Sequence, residues 1–293
     1  MPGVAVVTDS TSYLPRRVLE AFGIELVSLY VSWSGESHRE VDIDDLAAFF
    51  AQLRDGNALP TTSQPSIGDY LEVWEPLLAD GRDIVSIHLA GGISGTVEAA
   101  RQAREVLAER GLHERVAVID SDTGCGGLGC VVLAAVAAAA AGDDLEAVVA
   151  RAHEGRAALK LWFAIDTLEY LRRGGRIGAA QAWLGGALKI KPILSLEHEI
   201  TPVERVRTSG RAFDRLVEYM RERERDGSDG WVVQHIQAPE QAERLVEAGR
   251  EIYGSEPIFV SEVGPVIGTY TGPGLLGVGG VPRSLVPGGL PIT

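Results

Sequence analysis

The chain has 293 residues, 45% of them hydrophobic and 23% charged, with a formal net charge of −14 at pH 7. That length exceeds one small core, so two domains are expected. The acidity excludes a nucleic-acid backbone or an anionic membrane surface as the main partner.

The first apolar run, Val4 to Val7, reads as a strand emptying into the polar loop Thr8-Asp9-Ser10-Thr11-Ser12, with Pro15 opening a helix. Ile24 to Val31 reads as a second strand. Asp42 to Arg54 reads as an amphipathic helix with Asp42 or Asp44 as N-cap. The hydroxyl-rich turn Thr61-Thr62-Ser63-Gln64-Pro65 follows, and Ser66 caps a helix to about Ala79 with Asp69 in its first turn. Ile84 to Leu89 is the next strand, ending in Gly91-Gly92-Ile93-Ser94-Gly95-Thr96, and a helix runs from Thr96 to about Glu109. Val116 to Ser121 is a further strand with a polar end. Cys125 and Cys130 fall in a glycine-rich turn before an alanine-rich buried helix ending at Ala141. Their spacing is not that of zinc ligands, and no metal site is expected. With no signal-like start and only this pair, the expected location is cytoplasmic. The run Val131 to Ala141 is shorter than the roughly 20 residues of a membrane span, so no integral membrane segment is expected.

A second unit starts near Leu161 to Ile165. Lys191 to Leu196 and Glu199 to Val206 form a hairpin pattern. A charged helix (Ser209 to Asp226), a strand (Trp231 to Ile236), a helix after Pro239 and a strand (Ile258 to Val263) follow. Gly264 to Gly274 reads either as a surface loop of tight turns or as a backbone-rich site wall. The fold expected is α/β in two domains. Residues 1–157 form a mostly parallel sheet with helices on both faces, and residues 158–280 an α/β domain with a mixed or antiparallel sheet. A loose Gly/Pro-rich tail spans 281–293.

Ligands of parallel α/β sheets bind outside the C-terminal strand ends, where both hydroxyl turns and Thr8 to Thr11 fall. Glycine around a serine lets backbone N–H groups approach a carboxylate or phosphate. The string Asp166 to Gly178 ends a helix with Arg172 and Arg173 and adds Arg176. Capping by Gly174 explains part of it; three guanidiniums also suit an anion or an acidic partner. The six histidines form no cluster, and no nucleophile elbow, P-loop or dinucleotide fingerprint is present. Ser94 has no evident general base, which counts against an enzyme that uses it as nucleophile or phosphoryl acceptor on a small anionic substrate. No catalytic residue is assigned.

In order along nearly the whole chain, Thr8-Asp9-Ser10-Thr11, Thr62-Ser63-Gln64-Pro65, Ser94-Gly95-Thr96 and Asp120-Ser121 resemble the DegV family of fatty-acid-binding proteins. So do Asp166-Thr167-Leu168-Glu169-Tyr170-Leu171, Gly174-Gly175-Arg176-Ile177-Gly178, Lys191-Pro192-Ile193-Leu194, Val206-Arg207-Thr208 and Gly264-Pro265-Val266-Ile267-Gly268-Thr269. The resemblance implies a lipid-binding carrier, not an enzyme, that holds one long-chain fatty acid and needs no cofactor. The carboxylate sits between the domains and the chain in an apolar tunnel of the second. It also implies a partner, a fatty acid kinase with a dihydroxyacetone-kinase-like ATP domain, which makes acyl phosphate for phospholipid synthesis. By motif, Thr62 and Ser94 hold the carboxylate, with Ser63, Gly95, Thr96, Thr269 and Tyr270 around them. Ile93, Leu184, Leu188, Ile190, Ile193 and Leu194 are the candidate tunnel walls, and Arg173 and Arg176 the kinase contacts.

The residues suit that role. Each buried CH₂ contributes roughly 0.8 kcal/mol, so a ~16-carbon chain supplies most of the affinity, and two hydroxyls suffice to orient the head group. Many relatives carry histidine where Tyr270 stands; a tyrosine hydroxyl donates a hydrogen bond but does not titrate near neutrality. Many also carry serines and a lysine where this chain has Ala90-Gly91-Gly92-Ile93.

Overall fold

A computed structural model describes residues 3–289 apart from 34, 57–59 and 185–189. The first apolar run is β1 (Val4–Asp9), and α1 (Arg16–Phe22) follows Pro15, which takes the N-cap. The stretch expected as one strand over 24–31 divides into β2 (Glu25–Val27) and β3 (Tyr30–Trp33), which join different sheets. Next come β4 (Glu36–Arg39) and α2 (Leu46–Asp55). The cap of α2 is Asp45, whose carboxylate accepts from the Ala48 N–H, because Asp42 is drawn into a short 3-10 turn. Then follow β5 (Thr61–Ser63), α3 (Ile67–Ala79), β6 (Asp83–His88), α4 (Thr96–Val106) and β7 (Val116–Asp120). Ser66 and Asp69 form the expected reciprocal capping box at the start of α3.

The glycine-rich segment holding both cysteines is helical rather than a turn: it opens α5 (Cys125–Ala141). A Cβ on Gly126 would lie 2.9 Å from the Gln234 carboxamide, so glycine there lets this helix close against the second half of the chain. Beyond it lie α6 (Leu145–Ala158), β8 (Lys160–Ala164), α7 (Glu169–Gly174) and the expected hairpin of β9 (Lys191–Glu197) and β10 (Glu199–Val206). Then come α8 (Ser209–Arg225), β11 (Val232–His235), α9 (Pro239–Tyr253), β12 (Phe259–Glu262), α10 (Pro265–Thr271) and β13 (Leu276–Gly280). Helix α10 stands where a surface loop was one reading. Pro265 occupies its first turn, and Val266 and Thr269 are buried.

Among the described residues, strands form three sheets. The order β2-β1-β6-β7 is wholly parallel. A parallel sheet needs cover on both faces. On one side Tyr70 and Trp74 of α3 and Ala100 of α4 pack on Ala5, Val7 and Ile84. On the other, Leu128 and Val131 of α5 and Val148 of α6 pack with Val6, Val85 and Ile87. The second sheet runs β10-β9-β8-β13-β11-β12 and is mixed, with β11 and β12 parallel and its other pairs antiparallel. The chain is therefore α/β with a parallel and a mixed sheet. A small antiparallel sheet, β4-β3-β5, was not foreseen, and it sets Thr62 opposite Val31.

Successive residues of a strand face opposite ways. Ala164, Ile193, Val233, Leu276 and Val278 point at α8 and α9. Phe163, Leu194 and Leu196 point the other way, toward Phe49, Phe50 and Ala90 of the first half. The segment after β13, expected to be loose, is held over 281–286: Val281, Leu285 and Val286 are buried against α5 and Phe259. The rest of that tail from 290 onward lies outside the described residues. No helix among the described residues is long and apolar enough to cross a membrane.

Candidate functional site

The inward face of the mixed sheet, the N-terminus of α5 and helices α7 and α10 enclose a cavity with about 810 Å³ of space not filled by atoms, its mouth included. Thr62, Ile93, Ser94, Arg176 and Tyr270 all line it. Ile93, Ser94, Arg176 and Ile200 also line an open polar recess built on Gly91, Gly92, Gly95, Gly175 and Gly178. The polar end of the apolar cavity thus opens into a glycine-walled space.

The geometry at this end follows from the local sequence. The chain turns tightly after β6, with the Ile93 and Ser94 N–H groups both donating to the Ala90 carbonyl at 3.2 Å. Ser94 Oγ lies 2.8 Å from Thr96 Oγ1 and accepts from the Thr96 N–H at 3.3 Å. Because α4 begins at Thr96, Ser94 stands at the positive end of a helix dipole, which favours an anion. The Thr62 hydroxyl lies 2.6 Å from the Tyr270 phenol. Arg176 donates to the Gly174 carbonyl at 2.7 Å and the Ile93 carbonyl at 3.3 Å, and its guanidinium sits 4.8 Å from the Tyr270 ring centroid. It joins the Ser94 turn to the Thr62–Tyr270 pair. Neither group bonded to Ser94 Oγ, the Thr96 hydroxyl and the Thr96 N–H, is a base.

Other expected site residues lie elsewhere. Thr269 is buried and its hydroxyl donates to the Pro265 carbonyl within α10. Ser63 is exposed on β5. Gly95 lines the outer recess and Thr96 is buried beneath Ser94. Of the expected tunnel walls, Ile93 lines the cavity. Leu184 is 38% exposed, because it follows a 3-10 turn on the surface. Ile193 faces the α8 side, Leu194 is buried in the core beside the cavity, and Ile190 packs on that core. Leu188 lies outside the described residues. Arg173 donates to Glu169, as does Arg172, and these bonds bring the Glu169 carboxyl down to about 2. Arg176, grouped with Arg173 as a partner contact, is exposed and also lines the cavity. The left-handed residue ending α7 is Gly175, not Gly174.

The Thr8 to Ser12 segment is buried and lines neither space. Asp9 Oδ1 accepts from the Thr11 N–H and hydroxyl, while Oδ2 accepts from the Leu89 N–H at 2.9 Å and lies 3.2 Å from His88 Nδ1. It fixes the strand end from which the Ser94 turn departs. Among the described residues one trio, Asp120, Asp122 and His198, has the donors and closeness for a divalent cation. Here Asp120 accepts from the Gly91 N–H, and His198 Nδ1 lies 2.8 Å from Asp122 Oδ1.

A family model described as "Uncharacterised protein, DegV family" matches residues 3–283. The chain belongs to the DegV family. A DegV domain-containing protein of Streptomyces coelicolor is 41% identical over 278 residues, covering 94% of this chain and 97% of that protein. The crystal structure of DegV from Bacillus subtilis, described as a fatty acid binding protein, superposes with a TM-score of 0.84 at 33% identity, covering 95% of this chain and 99% of that one. A Thermus thermophilus DegV-family structure described by its fatty acid binding gives 0.84 at 33% identity, covering 94% and 98%.

Sequence reasoning missed most of this cavity's walls, among them Leu161, Phe163, Leu171, Leu196, Gln234 and Leu275. A signal was present for some of them. In β9 the alternation separates Ile193 from Leu194 and Leu196, and choosing one face would have led to Leu196.

Proposed function

We propose that this chain is a carrier that binds one long-chain fatty acid in the apolar cavity, with the carboxylate at Thr62 and Ser94. The observation that carries this reading is the polarity of the cavity: aliphatic and aromatic walls lead to one end where Thr62, Ser94, Tyr270 and Arg176 meet. Two polar side chains elsewhere on the wall, Thr271 and Gln234, are occupied. The Thr271 hydroxyl donates to the Ile267 carbonyl, and the Gln234 carboxamide is bonded to Ser261 and the Gly126 N–H. The fatty acid binding described for the Bacillus and Thermus relatives supports the same assignment. Apolar area supplies affinity and the few polar groups supply orientation.

In this reading the glycine-walled recess leaves the carboxylate reachable from outside. The carrier presents it in the cytoplasm to a separate fatty acid kinase, which forms the acyl phosphate that feeds phospholipid synthesis. The phosphoryl chemistry belongs to that kinase. Arg173, exposed on α7, and Arg176 are the partner contacts. The test is native mass spectrometry of the purified chain before and after adding hexadecanoic acid. A one-to-one complex that is weakened in Thr62→Ala and Ser94→Ala supports the reading. No bound acyl chain and no uptake overturns it.

A further inference from the structure

The residues lining the cavity form a row across the mixed sheet. Ile200 on β10 stands opposite Leu196 on β9; two residues back along β9, Leu194, in the core beside the cavity, stands opposite Phe163 on β8, Phe163 stands opposite Gly277 on β13, and Gly277 opposite Gln234 on β11. Ile200 shares the outer recess with Ser94 and Arg176, so that edge is the polar end. At about 4.8 Å per strand, Gly277 lies roughly 14 Å farther in. Just beyond it the row closes on Gln234, which is buried and bonded through both ends of its carboxamide.

Gly277 is the one member of this row without a side chain, and nothing in its own backbone demands that. Two other glycines of the same strand are forced: a Cβ on Gly279 would come within 2.4 Å of the Lys160 carbonyl oxygen, and one on Gly280 within 2.2 Å of the Gly230 carbonyl oxygen. A Cβ on Gly277 meets only ordinary contacts, Phe163 Cβ at 3.5 Å and backbone oxygens at 3.8 and 4.0 Å, and its φ is not in the left-handed region. Its neighbours Leu276 and Val278 face the α8 side, so the missing side chain faces the cavity. The space it leaves open lies between Phe163 and the Gln234 floor.

We infer that Gly277 sets the length of acyl chain that the cavity accepts, by leaving open the last stretch before the Gln234 floor. This rests on the fatty-acid reading above and adds a specificity determinant to it. A side chain at 277 occupies the space that the terminal methylenes of a long acid would fill. Each excluded methylene costs roughly fourfold in affinity.

The test measures dissociation constants of dodecanoic, tetradecanoic, hexadecanoic and octadecanoic acids for the full chain, Gly277→Ala and Gly277→Leu, with the melting temperature of each ligand-free protein alongside. Gly277→Leu is expected to weaken octadecanoic acid by about tenfold or more while dodecanoic acid changes by less than about threefold, and Gly277→Ala to shift the same ratio by about fourfold. If Gly277→Leu fails to fold, the Gly277→Ala ratio carries the test. An unchanged length ranking in the folded variants, with the parent chain binding the acids, overturns the role of Gly277 alone. Failure of the parent chain to bind any of them overturns the fatty-acid reading itself, and this inference with it.

Discussion

The hydroxyl of Thr62 and the phenol of Tyr270 lie 2.6 Å apart although 208 positions separate them in the chain. The contact joins β5 to α10 and sets a tyrosine hydroxyl beside Thr62. Removing only that oxygen in Tyr270→Phe keeps the ring under Arg176 and takes away one hydrogen bond. A hydrogen bond of this kind is worth about 1 kcal/mol net, so the affinity for hexadecanoic acid is expected to fall about fivefold. Calorimetric titration of the variant checks it. An unchanged affinity would show that the hydroxyl does not hold the carboxylate.

Arg173 and Arg176 stand three positions apart and have different surroundings. Arg173 is paired with Glu169 on the surface, whereas Arg176 bonds the Ile93 carbonyl and lies on Tyr270. Exposed ion pairs contribute about 0–1 kcal/mol, so Arg173→Ala is expected to leave fatty-acid affinity within about twofold. Arg176→Ala frees the Ser94 turn and removes a cation from the proposed carboxylate end of the cavity, with an expected loss of about tenfold. Direct binding of both variants measures the contrast. Equal effects would remove Arg176 from the ligand end of the cavity.

The parts of this fold that could be read from the sequence are those in which side-chain pattern and position coincide. Strands β1, β6 and β7 are apolar runs that end in polar residues, because a parallel sheet is buried on both faces and its carboxyl ends face a crevice. Strand β13 escaped notice because Gly277, Gly279 and Gly280 give it no alternation, yet it lies inside its sheet, where backbone crowding excludes side chains at Gly279 and Gly280. Helix α10 was hidden by its glycines and by Pro265, which suits a first helical turn as well as a loop. Thr62 and Ser94 stood out as hydroxyls in turns. That they share one cavity with Arg176 and Tyr270 depends on how the two sheets face each other, and no local string records that. The tunnel walls went astray at Ile193, where both faces of a strand were assigned to one cavity.

Asp9 provides a stability prediction. Its carboxylate is fully buried and receives the Thr11 N–H, the Thr11 hydroxyl and the Leu89 N–H. Asp9→Ala leaves these donors, and His88, without an acceptor in a space too small for bulk water. Each orphaned buried donor costs about 1–3 kcal/mol, so urea unfolding is expected to show a loss of about 3 kcal/mol or more. The Ser94 turn hangs from Leu89, and ligand affinity should fall along with stability. A loss below 1 kcal/mol would show that the strand ends hold without this carboxylate.

Glu40 gives the chain a pH dependence whose sign can be worked out. Burial pushes its carboxyl up from 4.5 to about 7, against hydrogen bonds from the Ser10 hydroxyl, the Val266 N–H and the Tyr13 hydroxyl that favour the ionised form. The folded chain therefore keeps this proton to higher pH than the unfolded chain does. The associated stability is fully present below about pH 4.5 and is lost as pH rises through about 7. Glu40→Gln is neutral throughout and lacks this dependence. Between pH 5 and pH 8 the parent chain is expected to lose stability relative to Glu40→Gln by on the order of 3 kcal/mol, read from urea midpoints at the two pH values. A flat or opposite difference would mean that Glu40 is ionised across the range. The Glu40 carboxyl is held against α10. Glu40 accepts from the Val266 N–H in the first turn of that helix, and Tyr13, its other partner, accepts from the Ile267 N–H. Helix α10 carries Ile267 and Tyr270 into the cavity wall, so this buried carboxyl is tied to the segment that lines the polar end of the cavity.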